Sequence, residues 1–528
     1  MKTKRIVSLS ILLSMLLSLS ACGNNGSPSG NSGSAFGAEE ISVSGGGRPQ
    51  TVEDKELYEF TMMGNLTAEM TDNDRAYIKG LEDTLNLKIN VELPPSTSYT
   101  ESLQMMLVSG EYPELVLFPS ATDTVYVDAV RNGVFLPLDS YLETAENLKA
   151  YTYEVSWDGL KVLSDSGDNQ IYGVPRTSIT RADGFFIRQD WIDNLGLAFD
   201  ETKPLTLVQL EEFAEAFTKN DPDGNGVNDT YGISAASDAD GNITPLFPWT
   251  FGLIGWSEYD GEYMDLKYSK THDNYKRALE WNNKMWEAGY IDPDWPTVKR
   301  DIQIERFQKG ITGIHNEFAG WMTDNEKKGR ELNEGFSISY ITGIVENEGD
   351  RVEGGSFSTG FWGLWSIAST AEKPQRIVGM LDYMLSDDYW DNTKYGMEGY
   401  AWNEENGVKV ATENYSTTAM GRAILRRNND PQFFVALNQS AEERGRVESL
   451  IQTCIDQYIF TLDRGYRPAI SDDPVFIDYQ KNMNVQISKI IVGELPVSEW
   501  DAILDGWYKA GGETYIKQMQ DNIAKYEK

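Results

Sequence analysis

Apolar and polar residues follow two different periods after residue 56, and their alternation predicts how the fold begins. Runs rich in apolar residues are typical of strands, whereas apolar residues three and four positions apart are typical of helices. The order is strand, helix, strand, helix, strand, at 57–63, 73–85, 87–93, 99–109 and 114–118. This order predicts an α/β sheet. Ligands bind beyond the carboxyl ends of strands in such sheets, so the loops that start at Gly64 and Pro119 are candidate ligand loops.

A second strand and helix unit follows, and the end of the chain is helical. Residues 185–197 predict a strand that runs into a helix, with Gly196 as the C-terminal cap. The next helix starts at Thr206, which forms a capping-box pattern with Gln209. Helical spacing recurs later in the chain, at 374–385, 447–459, 471–491 and 498–509. We therefore expect a helix-rich C-terminal part.

The polar segment after the Thr206 helix has the pattern of a calcium loop. Oxygen donors occupy alternate positions of the loop, at Asp221, Asp223, Asn225, Val227 (through its backbone carbonyl) and Asp229. Gly226 stands at the sixth position, where the chain must bend sharply. Gly232 replaces the glutamate expected at the twelfth position, so another ligand must come from elsewhere. The alternative is an Asx and glycine turn that holds no ion.

The N-terminus has the layout of a secreted protein. Three basic residues precede an apolar run, and the sequence Leu-Ser-Ala-Cys ends at Cys22. This is typical of a secretory signal, and its end resembles the lipobox of bacterial lipoproteins. We predict a signal peptide at 1–21, a lipidated Cys22 and a flexible linker at 22–54, which would anchor the protein to the extracellular face of the membrane. A plain signal peptide or a membrane span is the alternative, but the apolar run is shorter than the ~20 residues that a span needs.

Composition narrows the class of partner. The 528 residues include 82 acidic and 46 basic side chains, with a net charge of -36, which argues against nucleic acid and anionic lipid surfaces. The two cysteines leave Cys454 without a partner if Cys22 carries lipid, and its apolar neighbours predict a buried thiol. His272 and His315 are far apart in sequence, so both are interpreted as surface or packing residues.

Tryptophans are concentrated in the middle of the chain. Sugar rings stack their apolar faces on aromatic planes, so a carbohydrate cleft requires exposed aromatic side chains. Trp281 fits a helical stripe and is predicted to be a core residue. Other tryptophans lie near glycine or proline breaks and are candidate platforms, namely Trp249, Trp362, Trp365 and Trp402.

Several motifs together resemble a known family. They include R-Q-D-W-I-D-N-L-G-L from Arg188, D-P-D-G-N-G-V-N-D-T-Y-G from Asp221, E-A-G-Y-I-D-P-D from Glu287, Y-G-M-E-G-Y from Tyr395 and the closing S-E-W-D-A-I-L-D-G-W-Y-K-A-G-G. In this order they resemble the extracellular solute-binding lipoproteins (family 1) of bacterial carbohydrate ABC importers, especially the large calcium-bearing branch that includes alginate-binding proteins. In that branch a glutamate follows the ninth-position aspartate as a ligand, whereas this chain has Thr230.

The resemblance implies a two-lobed α/β fold of the periplasmic-binding-protein type (type II), whose hinge-linked lobes close on a sugar. We expect the first lobe at 55–170 and 311–365, and the second, with the calcium loop, at 171–310 and 366–528. The resemblance also places ligand-binding residues at Asn65, Arg188, Glu398 and Tyr400, beside the platform tryptophans. For Arg188 a plain ion pair is the alternative, and for Glu398 a structural role at a turn.

The resulting interpretation is a monomeric, non-enzymatic receptor that delivers an extracellular oligosaccharide to ABC permease subunits, with Ca²⁺ in a structural role. One alternative is a secreted glycoside hydrolase or a calcium-dependent polysaccharide lyase, because abundant tryptophans and carboxylates suit both. The other is a peptide receptor with the same anchor and lobes. The sequence does not distinguish a charged sugar from a neutral one.

Overall fold

A computed structural model describes residues 56–163, 170–177, 184–238, 240–353, 355–417 and 419–526. These residues belong to one compact unit, 42–528. The predicted signal peptide at 1–21 and the whole predicted linker at 22–54, with Cys22, lie outside the described residues. In the described part of the chain, no helix has both the length and the apolar character required to cross a membrane.

The strands in the described residues are β1 (Tyr58–Met63), β2 (Leu87–Glu92), β3 (Leu115–Phe118), β4 (Val174–Thr177), β5 (Gly184–Arg188), β6 (Leu205–Thr206), β7 (Tyr231–Ile233), β8 (Ser257–Tyr259), β9 (Glu262–Met264), β10 (Thr312–Glu317), β11 (Ile338–Ile341), β12 (Ile344–Val345), β13 (Ser356–Phe357), β14 (Phe361–Ile367), β15 (Trp402–Glu405), β16 (Val408–Ala411) and β17 (Ile459–Phe460).

The α-helices in the same residues are α1 (Asp72–Leu85), α2 (Tyr99–Ser109), α3 (Thr124–Arg131), α4 (Asp139–Leu142), α5 (Glu146–Ala150), α6 (Glu154–Leu163), α7 (Gln189–Leu195), α8 (Leu207–Lys219), α9 (Asn274–Glu287), α10 (Arg300–Gln308), α11 (Met322–Leu332), α12 (Pro374–Met384), α13 (Trp390–Tyr395), α14 (Met420–Ile424), α15 (Ala441–Gln457), α16 (Pro474–Ile491), α17 (Trp500–Trp507) and α18 (Glu513–Tyr526).

The first sheet has the strand order β2-β1-β3-β14-β4. Strand β1 runs parallel to β2 and β3, whereas β14 runs antiparallel to β3 and β4. All four residues of β3 are buried, as expected for a strand that helices cover on both faces. The predicted order of strands and helices up to residue 118 is confirmed.

The second sheet has the order β11-β5-β10-β7, and β5 pairs antiparallel with both of its neighbours. The capping box at Thr206 is formed as predicted, since its hydroxyl accepts from the Gln209 N–H and the Gln209 side chain accepts from the Thr206 N–H. Gly196 adopts φ 66° at the C-terminal end of α7, which confirms the predicted cap. Helix α8 then leads directly into the predicted calcium loop.

The chain ends in a cluster of helices that packs on α9. Trp507 is fully buried and stacks on Tyr268, with ring centroids 4.2 Å apart. The predicted helices 471–491 and 498–509 are confirmed as α16 and α17 with slightly different ends. Helix α18 was not predicted, and it follows a π-helical turn over Tyr508–Gly512 in which Gly511 has φ 139°.

Strand pairing divides the chain differently from the predicted lobe boundaries. Strands β10 and β11 were expected in the first lobe with residues 311–365, but both pair with β5 in the second sheet. Strand β4 was expected in the second lobe, but it pairs with β14 in the first sheet. Helix α13 packs near the first sheet, since Thr393 Oγ1 lies 3.1 Å from the Tyr77 hydroxyl of α1. These pairings depend on contacts between distant residues, which local patterns do not specify.

Candidate functional site

A cleft of about 580 Å³ opens between elements of the two sheets. One side contains Leu66 and Thr67, which follow β1, together with Arg176 of β4. The other side follows β10 and includes Trp321 and the first turns of α11. The segments 417–426 and 433–443 complete the lining. The predicted ligand loop after Gly64 thus reaches the cleft through residues next to Asn65, whose side chain is half-buried.

Asp74 links α1 to the segment that forms one wall of this cleft. One carboxylate oxygen accepts hydrogen bonds from the N–H and hydroxyl of Thr71, at 2.9 and 2.8 Å, and thereby completes a capping box. The other oxygen accepts from the Met420 N–H at 2.9 Å. Because Asp74 is 2% exposed, these bonds hold Met420 and the start of α14 in place from inside the protein.

Aromatic side chains form the opposite part of the lining. Trp321 is 41% exposed and lies at the N-terminal end of α11. Its ring contacts Phe434 with the centroids 6.2 Å apart, and Phe434 in turn packs edge-on against Phe433 at 4.8 Å. Gly320 permits this arrangement, because a Cβ there would lie 2.7 Å from Phe434. An exposed indole supported by two further rings suits the apolar face of a sugar.

Trp321 was not among the predicted platform residues. The glycine that precedes it is the same kind of break that drew attention to the other candidates, but the contact with Phe434 joins residues far apart in the chain. No local sequence pattern predicts the contact between Trp321 and Phe434.

Cationic side chains are close to these rings. Arg422 donates from Nε to the Lys394 carbonyl at 2.6 Å and from Nη1 to the Thr417 carbonyl at 3.0 Å. Arg422 and Arg426 each place the guanidinium carbon 5.2 Å from the centroid of Phe433. Burial lowers the pKa of Arg176 to about 10 and also lowers the pKa of Arg422.

Arg188 does not face the cleft. Its side chain is 1% exposed and forms a bidentate ion pair with Asp190, at 2.8 and 2.5 Å. The guanidinium carbon also lies 4.5 Å from the ring centroid of Trp191 and 4.2 Å from that of Phe336. Arg188 is therefore a core residue of the second sheet, which corrects its interpretation as a ligand contact and agrees with the ion-pair alternative.

The candidate tryptophans differ widely in burial. Trp402 is buried and donates to the Gly396 carbonyl at 2.8 Å, and Trp365 is buried and donates to the Ile424 carbonyl at 2.8 Å. Both indoles are thus packing residues rather than platforms, contrary to the expectation. Trp249 is half-buried beside a cavity of only about 20 Å³, and Trp362 is 54% exposed on β14. Among the described residues, neither of these two lines the cleft beside Trp321.

Glu398 and Tyr400 lie in a turn before β15. The backbone N–H of Glu398 donates to Asn392 Oδ1 at 2.8 Å, and the Tyr400 carbonyl accepts from the Thr412 hydroxyl at 2.5 Å. Both side chains are half-buried, and the described lining of the cleft beside Trp321 does not include them. The structure therefore does not bring these two residues together with Trp321.

The remaining predicted packing residues are where they were expected. Cys454 is buried, and Trp281 is 7% exposed in the core around α9. His315 is fully buried and stacks on Phe307, with ring centroids 5.0 Å apart. His272 is partly exposed and lies 3.7 Å from the Asp260 carboxylate. None of these residues lines the cleft as the described residues define it.

The predicted calcium loop is compact and internally hydrogen-bonded. The Asp221 carboxylate accepts from the N–H groups of Asn225 and Gly226, at 3.0 and 2.9 Å. The Asn225 side-chain amide lies between Asp223 and Asp229, with Nδ2 at 3.0 and 3.2 Å from their carboxylates. Gly226 has φ 85°, the conformation for which a glycine at the sixth position is suited. Val227 donates its N–H to the Asn225 side-chain oxygen at 2.7 Å.

The oxygen-rich donor set fits a hard cation such as Ca²⁺. Partial burial raises the pKa of Asp223, and the neighbouring carboxylates of Asp229 and Asp221 add to this shift. A divalent cation would relieve that repulsion. However, in the described residues no group of three or more His, Cys, Asp or Glu side chains has the arrangement of a metal site.

Two residues near the end of the loop explain how it differs from the expected pattern. Thr230 is buried and its hydroxyl donates to the Phe217 carbonyl at 2.6 Å, so it closes the loop onto α8. Gly232 packs so closely on α8 that a Cβ would lie 2.5 Å from the Ala214 backbone. A glutamate at either position would therefore need a different approach of the loop to the helix.

Comparison with known proteins gives consistent matches. The family model described as "Bacterial extracellular solute-binding protein" matches residues 76–389. The polygalacturonan/rhamnogalacturonan-binding protein YtcQ of Bacillus subtilis (strain 168) is 25% identical over 492 residues, which cover 88% of this chain and 90% of YtcQ. The fructooligosaccharide ABC transporter substrate-binding protein FusA of Streptococcus pneumoniae serotype 4 is 25% identical over 341 residues, which cover 61% of this chain and 60% of FusA.

Solved structures agree in fold. The alginate-binding protein AlgQ2, solved without calcium ion, superposes with a TM-score of 0.63 at 16% identity, covering 90% of this chain and 100% of AlgQ2. An EF-hand mutant of FusA from S. pneumoniae with fructo-nystose gives 0.61 at 17% identity, covering 89% and 99%. The predicted two-lobed α/β fold of type II is confirmed, and two of the structural neighbours are calcium-related by description.

Proposed function

Since the chain belongs to the family of bacterial extracellular solute-binding proteins, we propose that it captures an extracellular oligosaccharide in the cleft beside Trp321 and delivers it to the permease of an ABC importer. The observation that carries this proposal is the exposed indole of Trp321, supported by Phe434 and surrounded by hydrogen-bond donors. YtcQ and FusA support it, because both are described as binding saccharides and FusA as part of an ABC transporter.

Binding requires the cleft to close over the sugar. The first sheet contributes Leu66, Thr67 and Arg176, and the segment after β10 of the second sheet contributes Trp321. A ligand that contacts both sides stabilises the closed arrangement by its differential affinity for that state. We therefore place the hinge-linked lobes around these two sheets instead of at the boundaries that the sequence suggested. Asn65 remains a proposed contact, as the neighbour of Leu66.

The carboxylates of the cleft support binding rather than catalysis. A glycosidase uses two carboxyl groups that face the scissile bond. Of the acidic residues in the described lining, Asp74 is engaged by Thr71 and Met420, and Glu443 by the N-terminus of α15. Only Asp324 lacks such a role among them and it is exposed. YtcQ and FusA are likewise described as binding proteins.

The proposal also includes a calcium site and a lipid anchor. We propose that Asp221, Asp223, Asn225, Asp229 and the Val227 carbonyl hold a structural Ca²⁺ that rigidifies the segment after α8. The crowding of Asp223 with Asp221 and Asp229 supports this. We also propose lipidation at Cys22 and a monomeric protein at the extracellular face of the membrane, on the signal layout of the sequence.

Isothermal titration calorimetry with acidic oligosaccharides, neutral oligosaccharides and peptides tests the function. We expect saccharide binding and no release of reducing ends. Binding of peptides alone would contradict the saccharide receptor and favour the peptide receptor. Release of reducing sugars from polysaccharides would instead indicate a hydrolase, and unsaturated products a lyase.

A further inference from the structure

The cleft has a charge unlike that of the whole chain. The chain has a net charge of -36, yet the described lining of the cleft contains four cationic side chains and three acidic ones. The cations are Arg176, Lys327, Arg422 and Arg426. A surface that collects cations in an acidic protein focuses a positive potential where the ligand enters.

Two arginines of this set, Arg176 and Arg422, have no carboxylate within ion-pair distance in the part of the chain that the structure describes. Among the described residues, Arg176 and Arg422 form no ion pair, although burial disfavours the charge of both. Nε of Arg176 and Nη2 of Arg422 are buried and have no hydrogen-bond partner within the same residues. A cleft-lining guanidinium group without a carboxylate partner is costly in a stable protein, and an anionic group of a ligand in the cleft supplies that partner.

The surroundings hold at least one of these side chains in a fixed position. Arg422 is fixed by the carbonyls of Lys394 and Thr417 and lies over the ring of Phe433. The guanidinium group of Arg422, which lines the cleft, therefore needs little further ordering when a ligand binds. Asp74, a carboxylate of the described lining, is already occupied by Thr71 and Met420.

We infer that the cleft recognises an acidic oligosaccharide, with Arg176 and Arg422 as the side chains that bind a carboxylate of its uronic acid units. This inference rests on the proposed function and adds the charge class of the ligand. A guanidinium group offers paired donors that match the two oxygens of a carboxylate. Trp321 then stacks on the apolar face of a sugar ring. The relatives alone do not decide the charge, because YtcQ is described as binding a polyuronide and FusA a fructooligosaccharide.

Calorimetry on the full-length chain tests the inference with three probes: trigalacturonate, its methyl ester and the neutral fructooligosaccharide kestose. We expect trigalacturonate to bind at least about tenfold more tightly than its ester, because esterification removes the charge but keeps the sugar. The preference should weaken as salt is raised. Arg176→Gln and Arg422→Gln should each remove most of the preference, while Arg75→Gln on the exposed face of α1 should leave it unchanged.

The outcomes separate the inference from the proposed function. If kestose or the ester binds at least as tightly as trigalacturonate, the acidic ligand is wrong but the saccharide receptor stands. If none of a wide saccharide panel binds, the receptor itself is wrong. If the acid is preferred but both arginine variants keep that preference while melting like the wild type, the charge class survives and the assigned arginines are wrong. Should either variant fail to fold, the acid and ester comparison in the wild type still decides the charge class.

Discussion

The carboxylate of Asp74 accepts a hydrogen bond from the Met420 N–H at 2.9 Å, across 346 positions of sequence. This single contact ties the first helix of the chain to the segment that carries Arg422. It also shows how the cleft is built, because a helix N-terminal cap doubles as an anchor for a wall contributed by a distant part of the chain. The stability of the fold and the shape of the cleft therefore depend on the same side chain.

Replacing Asp74 should destabilise the protein. Asp74→Ala removes the carboxylate that completes the capping box at Thr71 and leaves the buried Met420 N–H without an acceptor, so we expect the free energy of unfolding to fall by about 2 to 4 kcal/mol. Urea titration followed by circular dichroism measures this change. Asp72→Ala is the matched control, because Asp72 is exposed on the same helix and pairs only with Arg75. Equal stability of the two variants would contradict the anchoring role of Asp74.

Trp321 should contribute to affinity without contributing much to stability. The indole is 41% exposed and lines the cleft, so Trp321→Ala removes a stacking surface for the apolar face of a sugar ring. We expect the saccharide Kd to rise about tenfold or more, as measured by calorimetry, while the melting temperature stays near that of the wild type.

Trp362 provides the comparison for this prediction. It is also well exposed, at 54%, but it lies on β14 and the described lining of the cleft does not include it. Trp362→Ala should therefore bind sugar with the wild-type affinity. A larger loss of affinity for Trp362→Ala than for Trp321→Ala would mean that the sugar binds elsewhere.

Local patterns predicted the elements of this fold well. The bounds of α2 and the Thr206 capping box follow from residues within a few positions of each other, and the structure confirms both. The C-terminal helix α18 was missed because it continues after the π-helical turn that ends at Gly512. Local glycines usually end a helix, so the pattern indicated an end where the chain only bends.

The site was harder to predict, because burial and partners are set by distant segments. Arg188 follows a strand, as a ligand residue would, yet Asp190, Trp191 and Phe336 enclose it in the core. Trp402 lies beside glycines like a loop platform, but it packs under Gly396. In contrast, Arg176 and Arg422 carry no motif, and only the fold brings them to one cleft.

Calcium should stabilise the protein through the loop after α8. Asp221, Asp223 and Asp229 lie within one short loop. Partial burial, and after it the neighbouring carboxylates, raise the pKa of Asp223, and a cation would relieve the repulsion among these carboxylates. We expect EGTA to lower the melting temperature and added Ca²⁺ to restore it. The melting temperature should rise with the Ca²⁺ concentration, because Ca²⁺ binds the folded state. Differential scanning fluorimetry measures both changes.

Asp223→Asn should lose most of this response to calcium, since it removes a charged ligand from the loop. Asp128→Asn is the control, because Asp128 is an exposed aspartate of α3 far along the chain from the loop. Identical calcium responses in the wild type and in Asp223→Asn would contradict the assigned ligands. A melting temperature that neither EGTA nor Ca²⁺ changes would contradict the site as a whole.

His315 should make the stability depend on pH. Burial lowers the pKa of this imidazole below its ordinary value of 6.5, and in the described structure neither ring nitrogen has a hydrogen-bond partner. Below about pH 6.5 the unfolded chain binds a proton that the folded chain binds only at lower pH. The contribution of His315 to stability is therefore intact above about pH 6.5 and is lost as the pH falls towards the lowered pKa, by at most about 1.4 kcal/mol per pH unit.

Many carboxylates titrate in a neighbouring pH range and also affect stability. Comparing variants separates the contribution of His315 from theirs. His315→Phe keeps an aromatic ring against Phe307 but cannot bind a proton, so its urea midpoint should fall less than that of the wild type between about pH 7.5 and pH 5.5. His272→Gln removes the other histidine, which is partly exposed, and should retain the wild-type pH dependence. If His315→Phe and the wild type lose stability in parallel, the buried imidazole does not cause the acid sensitivity. The Glu317 carboxylate, 3.7 Å from His315 Nε2, would then be holding the proton on the ring in the folded state.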